Sequence, residues 1–290
     1  MVISRIETIA PAKINLALAV TGLRADGFHM IQTVFQTISL FDRIEVELKG
    51  EGITCACGDL SGESNLAYKA AASFIEELKG KQNISGNMGI TITIEKNIPL
   101  QAGLAGGSAD AAAVLRGLNK LYSHPFSYEE LLEIAASCGS DTAFCLKGGT
   151  QWGEGTGTNL TKLPQAPELN LLLVKPIKGV NTSEAYRLFD ETGEISFLDK
   201  DLWADVLQKG DGEQIGKLMV NSLEKSAFML VPEIKHIKEL LLEGGCWGAL
   251  MSGSGSAVFG ILPDIETGIG LTKSLVNEGF LETWIVKTIV

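Results

Sequence analysis

The sequence is poor in the residues that hold metals and cross-link chains. It has three histidines, with no metal-ligand spacing between them, and five cysteines: Cys55, Cys57, Cys138, Cys145 and Cys246. That number is odd and no C-x-x-C pair occurs, which argues against a zinc site or a disulfide framework and for reduced thiols in the cytoplasm. Basic residues are outnumbered, 24 Lys and Arg against 35 Asp and Glu, for a net charge of −11. A basic face for nucleic acid or anionic lipid is therefore not expected. No apolar run approaches the ~20 residues that span a bilayer, and residues 1–11 lack the apolar core of a secretion signal. An acidic chain that binds an anion must do so locally, with a few lysines, helix N-termini or a divalent cation.

What the chain has is core-forming residues, 45% hydrophobic, and 33 glycines gathered in short clusters without a repeat. Such clusters mark tight loops where backbone approaches something closely. Alternating or continuous apolar runs predict strands at residues 3–9, 13–20, 32–39, 43–48 and 89–95, the last with Ile90, Ile92 and Ile94 on one face. Leu66, Ala70, Phe74 and Leu78 recur at helical spacing and predict a helix over 65–77. Good helix formers run from Ala109 to Leu121, with Ser108 reading as the N-cap and Asp110 in the first turn suiting the helix dipole. Ser127 and Glu130 form a capping-box pattern for a helix that Gly139 stops after Cys138. Further strands are predicted at 169–174, 247–251, 257–262 and 283–290, and helices at 183–188, 213–221, 233–243 and 265–277. The chain reads as α+β, with a soft boundary near residues 155–165 where Gly153, Gly155, Gly157 and Pro164 cluster. The expected domains are residues 1–160 and 161–290.

Five short segments carry chemistry. The strongest is the strand, glycine-rich loop and helix over residues 90–121. Gly103, Gly106 and Gly107 let backbone N–H groups turn toward one point, and the positive end of the next helix adds to them. That is an anion-binding device suited to phosphates. Ser108 adds a hydroxyl for a phosphate or a metal. The loop is not G-x-x-x-x-G-K-[ST], because no lysine follows the glycines, nor G-x-G-x-x-G, because Ala105 interrupts it. Taken alone it also fits a tight turn with no ligand. Asp141, just after a helix stop, matches a turn aspartate as readily as a catalytic carboxylate. Lys13 and Asn15 alternate with apolar residues and share one strand face. His29 follows Phe28 in the polar segment 23–29. Ser252, Gly253, Ser254 and Gly255 join two strands, as a plain connection or a ligand loop.

The order of these segments is more specific than any one of them. The region 11–15, the P-x-x-x-G-L-x-[SAG]-S-type loop at 99–109 and the late glycine-rich turn at 252–256 resemble the three motifs of the GHMP kinases. Residues 23–29, 32–40, 102–112, 139–141 and 144–150 narrow the resemblance to members that act on a cytidyl-diphosphate-linked alcohol, and the matches run from near residue 8 to near residue 260.

The resemblance implies a two-domain fold, an N-terminal domain like ribosomal protein S5 domain 2 and a ferredoxin-like C-terminal domain. It implies ATP-dependent phosphorylation of the 2-hydroxyl of cytidyl-diphosphate methylerythritol, on the non-mevalonate route to isoprenoids. Asp141 and Lys13 would be the catalytic pair. Asn65, Leu66 and Lys96 would contact the nucleotide. So would the loop from Pro99, Leu100, Gln101, Ala102, Gly103 and Leu104 through Ala105, Gly106, Gly107 and Ser108 to Ala109. Asn15, Thr182, Gly253 and Gly255 would line the substrate side, and His29 would hydrogen-bond cytosine, with Phe28 and Tyr186 as aromatic faces. Mg²⁺ would arrive with ATP and have no dedicated protein site, Ser108 and Asp141 being its candidate ligands. The implied partners are small molecules alone, with no nucleic acid or membrane, for a monomer or weak homodimer.

Four positions depart from the family. Phe28 stands where tyrosine is common, Thr142 and Ala143 where Val-Pro is common, and Asn181 where serine is common. Two rival readings remain at this level. One is another GHMP kinase, for homoserine, mevalonate or a sugar. The other is a non-catalytic nucleotide-binding protein that keeps the fold.

Overall fold

The computed structural model describes residues 4–81, 89–192 and 194–289. Ile3 and Val290, the outer ends of the first and last expected strands, lie outside the described residues. The chain forms two compact units that interleave along the sequence. The first holds residues 1–12, 40–98 and 105–147; the second holds 13–39, 99–104 and 148–290.

Two long strands, β1 (Arg5–Leu23) and β2 (His29–Leu48), run through both units. Sequence pattern divides each of them in two. The division fails because each strand runs on through its gap, at 10–12 and 40–42, where Ala10, Ala12 and Asp42 are all buried. A polar residue with its own partner inside does not break a strand.

In the first unit, β3 (Ile53–Ala56), β4 (Ile90–Glu95), β2 and β1 lie in that order. β4 pairs antiparallel with β2, Arg43 facing Glu95 and Leu48 facing Ile90, and parallel with β3. Helices α1 (Leu66–Lys81), α2 (Gly106–Leu121), α3 (Tyr128–Cys138) and α4 (Thr142–Lys147) complete it. α1 and α2 pack on each other through Ala67, Ala70, Ala71, Phe74 and Leu78 on one side and a run of alanines on the other. Gly117 brings α2 close to the sheet, where a Cβ would already stand 3.3 Å from Ile6 and 3.4 Å from Val46. Phe74 is fully buried and meets Phe126 edge-on at 4.9 Å; burying such a ring is worth about 1.5–3 kcal/mol. α3 has the expected ends: Ser127 and Glu130 exchange the two capping-box bonds, and Gly139 is the C-cap.

α2 does not start where its composition suggests. Ser108 is inside the helix and caps nothing; the N-cap is Ala105, at φ +56 with no side-chain cap bond. Ser108 can cap only if the chain enters from extended backbone, whereas here it enters through a left-handed residue. The N–H groups of the first turn are therefore left to another acceptor. Asp110 is likewise no dipole partner: it is buried and paired with Lys96.

In the second unit, β6 (Asn159–Lys162), β5 (Thr150–Gly155), β2, β1 and β8 (Val220–Asn221) lie side by side. A second, antiparallel sheet has the order β11 (Glu282–Lys287), β7 (Asn170–Lys175), β10 (Val258–Ile261) and β9 (Gly248–Met251). Helices α5 (Thr182–Thr192), α6 (Lys200–Lys209), α7 (Gly212–Leu218), α8 (Glu224–Leu230), α9 (Glu233–Glu243) and α10 (Ile265–Asn277) accompany them. α9 packs on β9 and β10, and the core there includes Leu172, Val174, Ile234, Ile237, Leu241 and Met251. The helix expected at 213–221 ends at Leu218, and Val220 and Asn221 instead pair parallel with β1. No helix of the described residues is long and apolar enough to cross a membrane.

Candidate active site

In the second unit, residues 99–104 are tied to the turn after β9. The Ser256 N–H donates to the Gln101 carbonyl (3.2 Å) and the Ala257 N–H to that of Ala102 (3.1 Å). The Ser252 hydroxyl donates to the Gly103 carbonyl at 3.0 Å. The Lys13 N–H donates to the Leu104 carbonyl at 3.1 Å, joining β1 to the same loop. Gly103 has φ +73, and a Cβ on it would overlap the Ser252 carbonyl. At Gly253, φ +58, a Cβ would stand 3.1 Å from the Gly103 oxygen and 3.3 Å from Lys13 Nζ. Glycine is needed because two turns and an ammonium crowd together. Gly255, φ +92, lies against Met251 and Val180. Asn221 Nδ2 clamps the turn from below, donating to the carbonyls of Met251 (2.8 Å) and Gly253 (2.7 Å). Pro99 is half-buried, Leu100 exposed, and Ala102 and Leu104 are buried. Gln101 sits at φ +53, a left-handed conformation that costs a non-glycine residue about 1–3 kcal/mol and clusters at functional loops.

Lys13 is buried and donates to Asn15 Oδ1 at 2.7 Å. Asn15 Nδ2 donates to Thr33 Oγ1 (2.7 Å), which donates to the Ala17 carbonyl (2.6 Å). This relay fixes the ammonium, which also lies 5.6 Å from the centre of the Phe35 ring. Thr182 opens α5, and its hydroxyl is 2.8 Å from that of Ser254 in the glycine turn. His29 opens β2: its Nε2 is 2.6 Å from Asp190 Oδ1 and its ring stacks on Tyr186 at 4.5 Å. Phe28 is 65% exposed, an aromatic ring held out to solvent.

The first unit holds the start of α2 and a buried charge cluster. Asp42 accepts from the N–H groups of Asn97 (2.5 Å) and Ile98 (2.8 Å) and pairs with the Lys96 ammonium. Lys96 also donates to Asp110 Oδ2 at 2.8 Å. A Cβ on Gly106 would lie 3.2 Å from Lys96 Nζ, so the ammonium stands beside the first residue of α2. Helix end and cation together suit an anion. Burial pushes the Asp110 carboxyl up to about 7; Lys96 opposes the rise and Asp42 adds to it. Burial works against the charge on Lys96, but its two carboxylates outweigh that and hold its pKa above the ordinary value.

Asn65 caps α1, its Oδ1 accepting from the Ala67 N–H (2.8 Å) and its Nδ2 donating to the Leu60 carbonyl (3.0 Å). Leu66 follows, and a Cβ on Gly107 would be 3.4 Å from its Cδ1. Gly107 is exposed, Ser108 half-buried and Ala109 buried. Asp141 is half-buried immediately before α4, its carbonyl accepting the Cys145 N–H at 2.9 Å. Sequence reading passes over the partners Asp42, Thr33, Asn221 and Asp190, and it names Ser252 in the glycine turn without its tie to the Gly103 carbonyl. Only Asp42 leaves a local trace, as a carboxylate inside an apolar strand.

The chain matches the GHMP kinases N terminal domain over residues 65–149 and the GHMP kinases C terminal domain over residues 203–268. The chain belongs to the GHMP kinases. It is 54% identical to the 4-diphosphocytidyl-2-C-methyl-D-erythritol kinase of Desulfitobacterium hafniense, over 92% of this chain and 90% of that one. It is 44% identical to the enzyme of the same name from Syntrophomonas wolfei, over 89% of each. A solved 4-(cytidine 5'-diphospho)-2C-methyl-D-erythritol kinase superposes with a TM-score of 0.83 at 34% identity, covering 98% of this chain and 99% of that one. Within the GHMP kinases, the chain is a member of the 4-diphosphocytidyl-2-C-methyl-D-erythritol kinase family.

Proposed function

We propose that this chain transfers the γ-phosphoryl group of ATP to the 2-hydroxyl of 4-(cytidine 5'-diphospho)-2-C-methyl-D-erythritol. The products are the 2-phosphate and ADP, on the non-mevalonate (methylerythritol phosphate) route to isoprenoid precursors. The observation that carries this reading is the buried Lys13 ammonium, fixed by Asn15 against two hydrogen-bonded glycine turns, in a chain 54% identical to a curated kinase of that name.

Phosphoryl transfer asks a protein for alignment and charge stabilisation more than for covalent chemistry. Fixed positioning supplies on the order of 7–11 kcal/mol. In our reading the loop 99–109 and Lys96 hold the ATP phosphates, with Asn65 and Leu66 at the nucleoside. Asp141 takes or orients the proton of the acceptor hydroxyl, worth about 10²–10⁴-fold, as the oxygen–phosphorus bond forms and the bond to ADP breaks. Lys13 offers positive charge to the developing alkoxide. Asn15, Thr182, Gly253 and Gly255 line the acceptor side, and Phe28, His29 and Tyr186 receive cytosine.

Mg²⁺ fits as an ion carried by the ATP phosphates, since such ions take few protein ligands. Among the described residues no group of three or more His, Cys, Asp or Glu could hold a metal by itself. Ser108 and Asp141 are the oxygen donors in our reading, and the ion would neutralise phosphate charge. We read residues 1–160 and 161–290 as the two domains; each contains one of the two family matches. We further read the protein as a cytoplasmic monomer or weak homodimer, which sedimentation tests.

ADP release is the deciding measurement. The cytidyl-diphosphate substrate should support it, and the same alcohol without cytidine should do so poorly. Faster turnover of homoserine, mevalonate or a sugar would replace this assignment with another kinase. ATP binding by calorimetry without ADP from any acceptor would make the protein a non-catalytic nucleotide binder.

A further inference from the structure

We propose that Asp190 is a positioning residue that fixes the tautomer of His29 and so makes the site prefer a pyrimidine with an exocyclic amine. The inference rests on the reading that His29 meets the base. Asp190 lies near the end of α5, and its Oδ1 is 2.6 Å from His29 Nε2. An ionised carboxylate only accepts, so the hydrogen belongs on Nε2. In a neutral imidazole, Nδ1 is then the acceptor. The ring is not free to turn: Tyr186 stacks on it at 4.5 Å and 26°, and Phe189 meets it edge-on at 6.3 Å and 85°. The His29 side chain is 11% exposed, so little water is present to blur the polarity of the remaining nitrogen.

Asp190 is also badly placed for its own helix. An acid near a helix C-terminus opposes the dipole, and the last turn of α5 carries no basic residue. The pairing with His29 gives this carboxylate a role that the helix does not. A fixed acceptor meets the 4-amine of cytosine, a donor, and opposes the 4-carbonyl of uracil, another acceptor.

The test combines imidazole-nitrogen NMR of the whole protein, at about pH 8 where histidine is ordinarily neutral, with steady-state kinetics. Wild type should carry its His29 proton on Nε2. In Asp190→Asn, whose amide both donates and accepts, the two tautomers should mix. That variant should raise the KM of the cytidine substrate about tenfold at unchanged kcat, and narrow the preference over the uridine counterpart by a similar factor. A wild-type proton on Nδ1, or a wild-type KM and preference in Asp190→Asn, overturns the proposal. His29→Ala separates the two levels. If His29→Ala leaves KM unchanged, the base-binding reading itself fails. If it raises KM while Asp190→Asn does not, the role of Asp190 alone fails.

Discussion

Lys13 and Lys96 are each fixed by hydrogen bonds within their own unit. Lys13 is buried and donates to Asn15 Oδ1 at 2.7 Å, which fixes the ammonium beside the glycine turns. Lys96 is flanked by Asp42 and Asp110, and a neighbouring anion feels a cluster, not a bare cation. Lys13→Ala should cripple turnover; a near-wild-type kcat would remove it from the mechanism. Asp141→Asn should lower kcat by about 10²–10⁴-fold with little change in ATP affinity by calorimetry; equal and modest losses in both would count against its role. Asp110 adds a dependence on pH. Its folded pKa is raised from 3.8 to about 7, so its contribution to stability is fully present below the unfolded value and is lost as pH rises through the folded one. Wild type should therefore lose melting temperature relative to Asp110→Asn as pH rises from 3.8 toward 7. Parallel melting curves for the two proteins across that window would contradict it.

The turn between β9 and β10 and the loop before α2 are both glycine-rich in the sequence, and the structure ties them to each other. Gly103→Ala should separate them, because its Cβ overlaps the Ser252 carbonyl and its φ of +73 disfavours alanine. Reduced melting temperature together with reduced kcat is the expected result, and an alanine variant with wild-type values of both would show that the loop relaxes freely. Elements whose signals are local were legible in the sequence. The capping box of Ser127 and Glu130 placed α3, and α9 and α10 have the bounds their periodicity gave. Lys13 and Asn15 do share a buried strand face. Elements made by pairing were not legible: β3, β5 and β6 are short and exist through their neighbours. α6 could have been found from Asp199 and Gly210, which cap it at its two ends. The start of α2 was hidden because nothing in Ala105 announces a left-handed residue. The ties of Asn221 and Ser252 join residues far apart in sequence, which no local pattern encodes.

Over the whole molecule, an acidic chain of net charge −11 must recognise anionic nucleotides without help from its overall field. Binding should then be local and visible as added stability. ATP at a hundred times its dissociation constant should raise unfolding free energy by about 2.7 kcal/mol, read as a concentration-dependent shift in calorimetric melting; an unmoved transition would argue against nucleotide binding. The interleaving of the two units has a further consequence, for biosynthesis. By the time a ribosome has added residue 147, every segment of the first unit has been made, while the second has only residues 13–39 and 99–104 of its own. The partners of the Gly103 loop, Asn221 and Ser252, come late in translation. A chain stopped midway would have Lys13 and the Gly103 loop yet lack the turn after β9 that is tied to that loop.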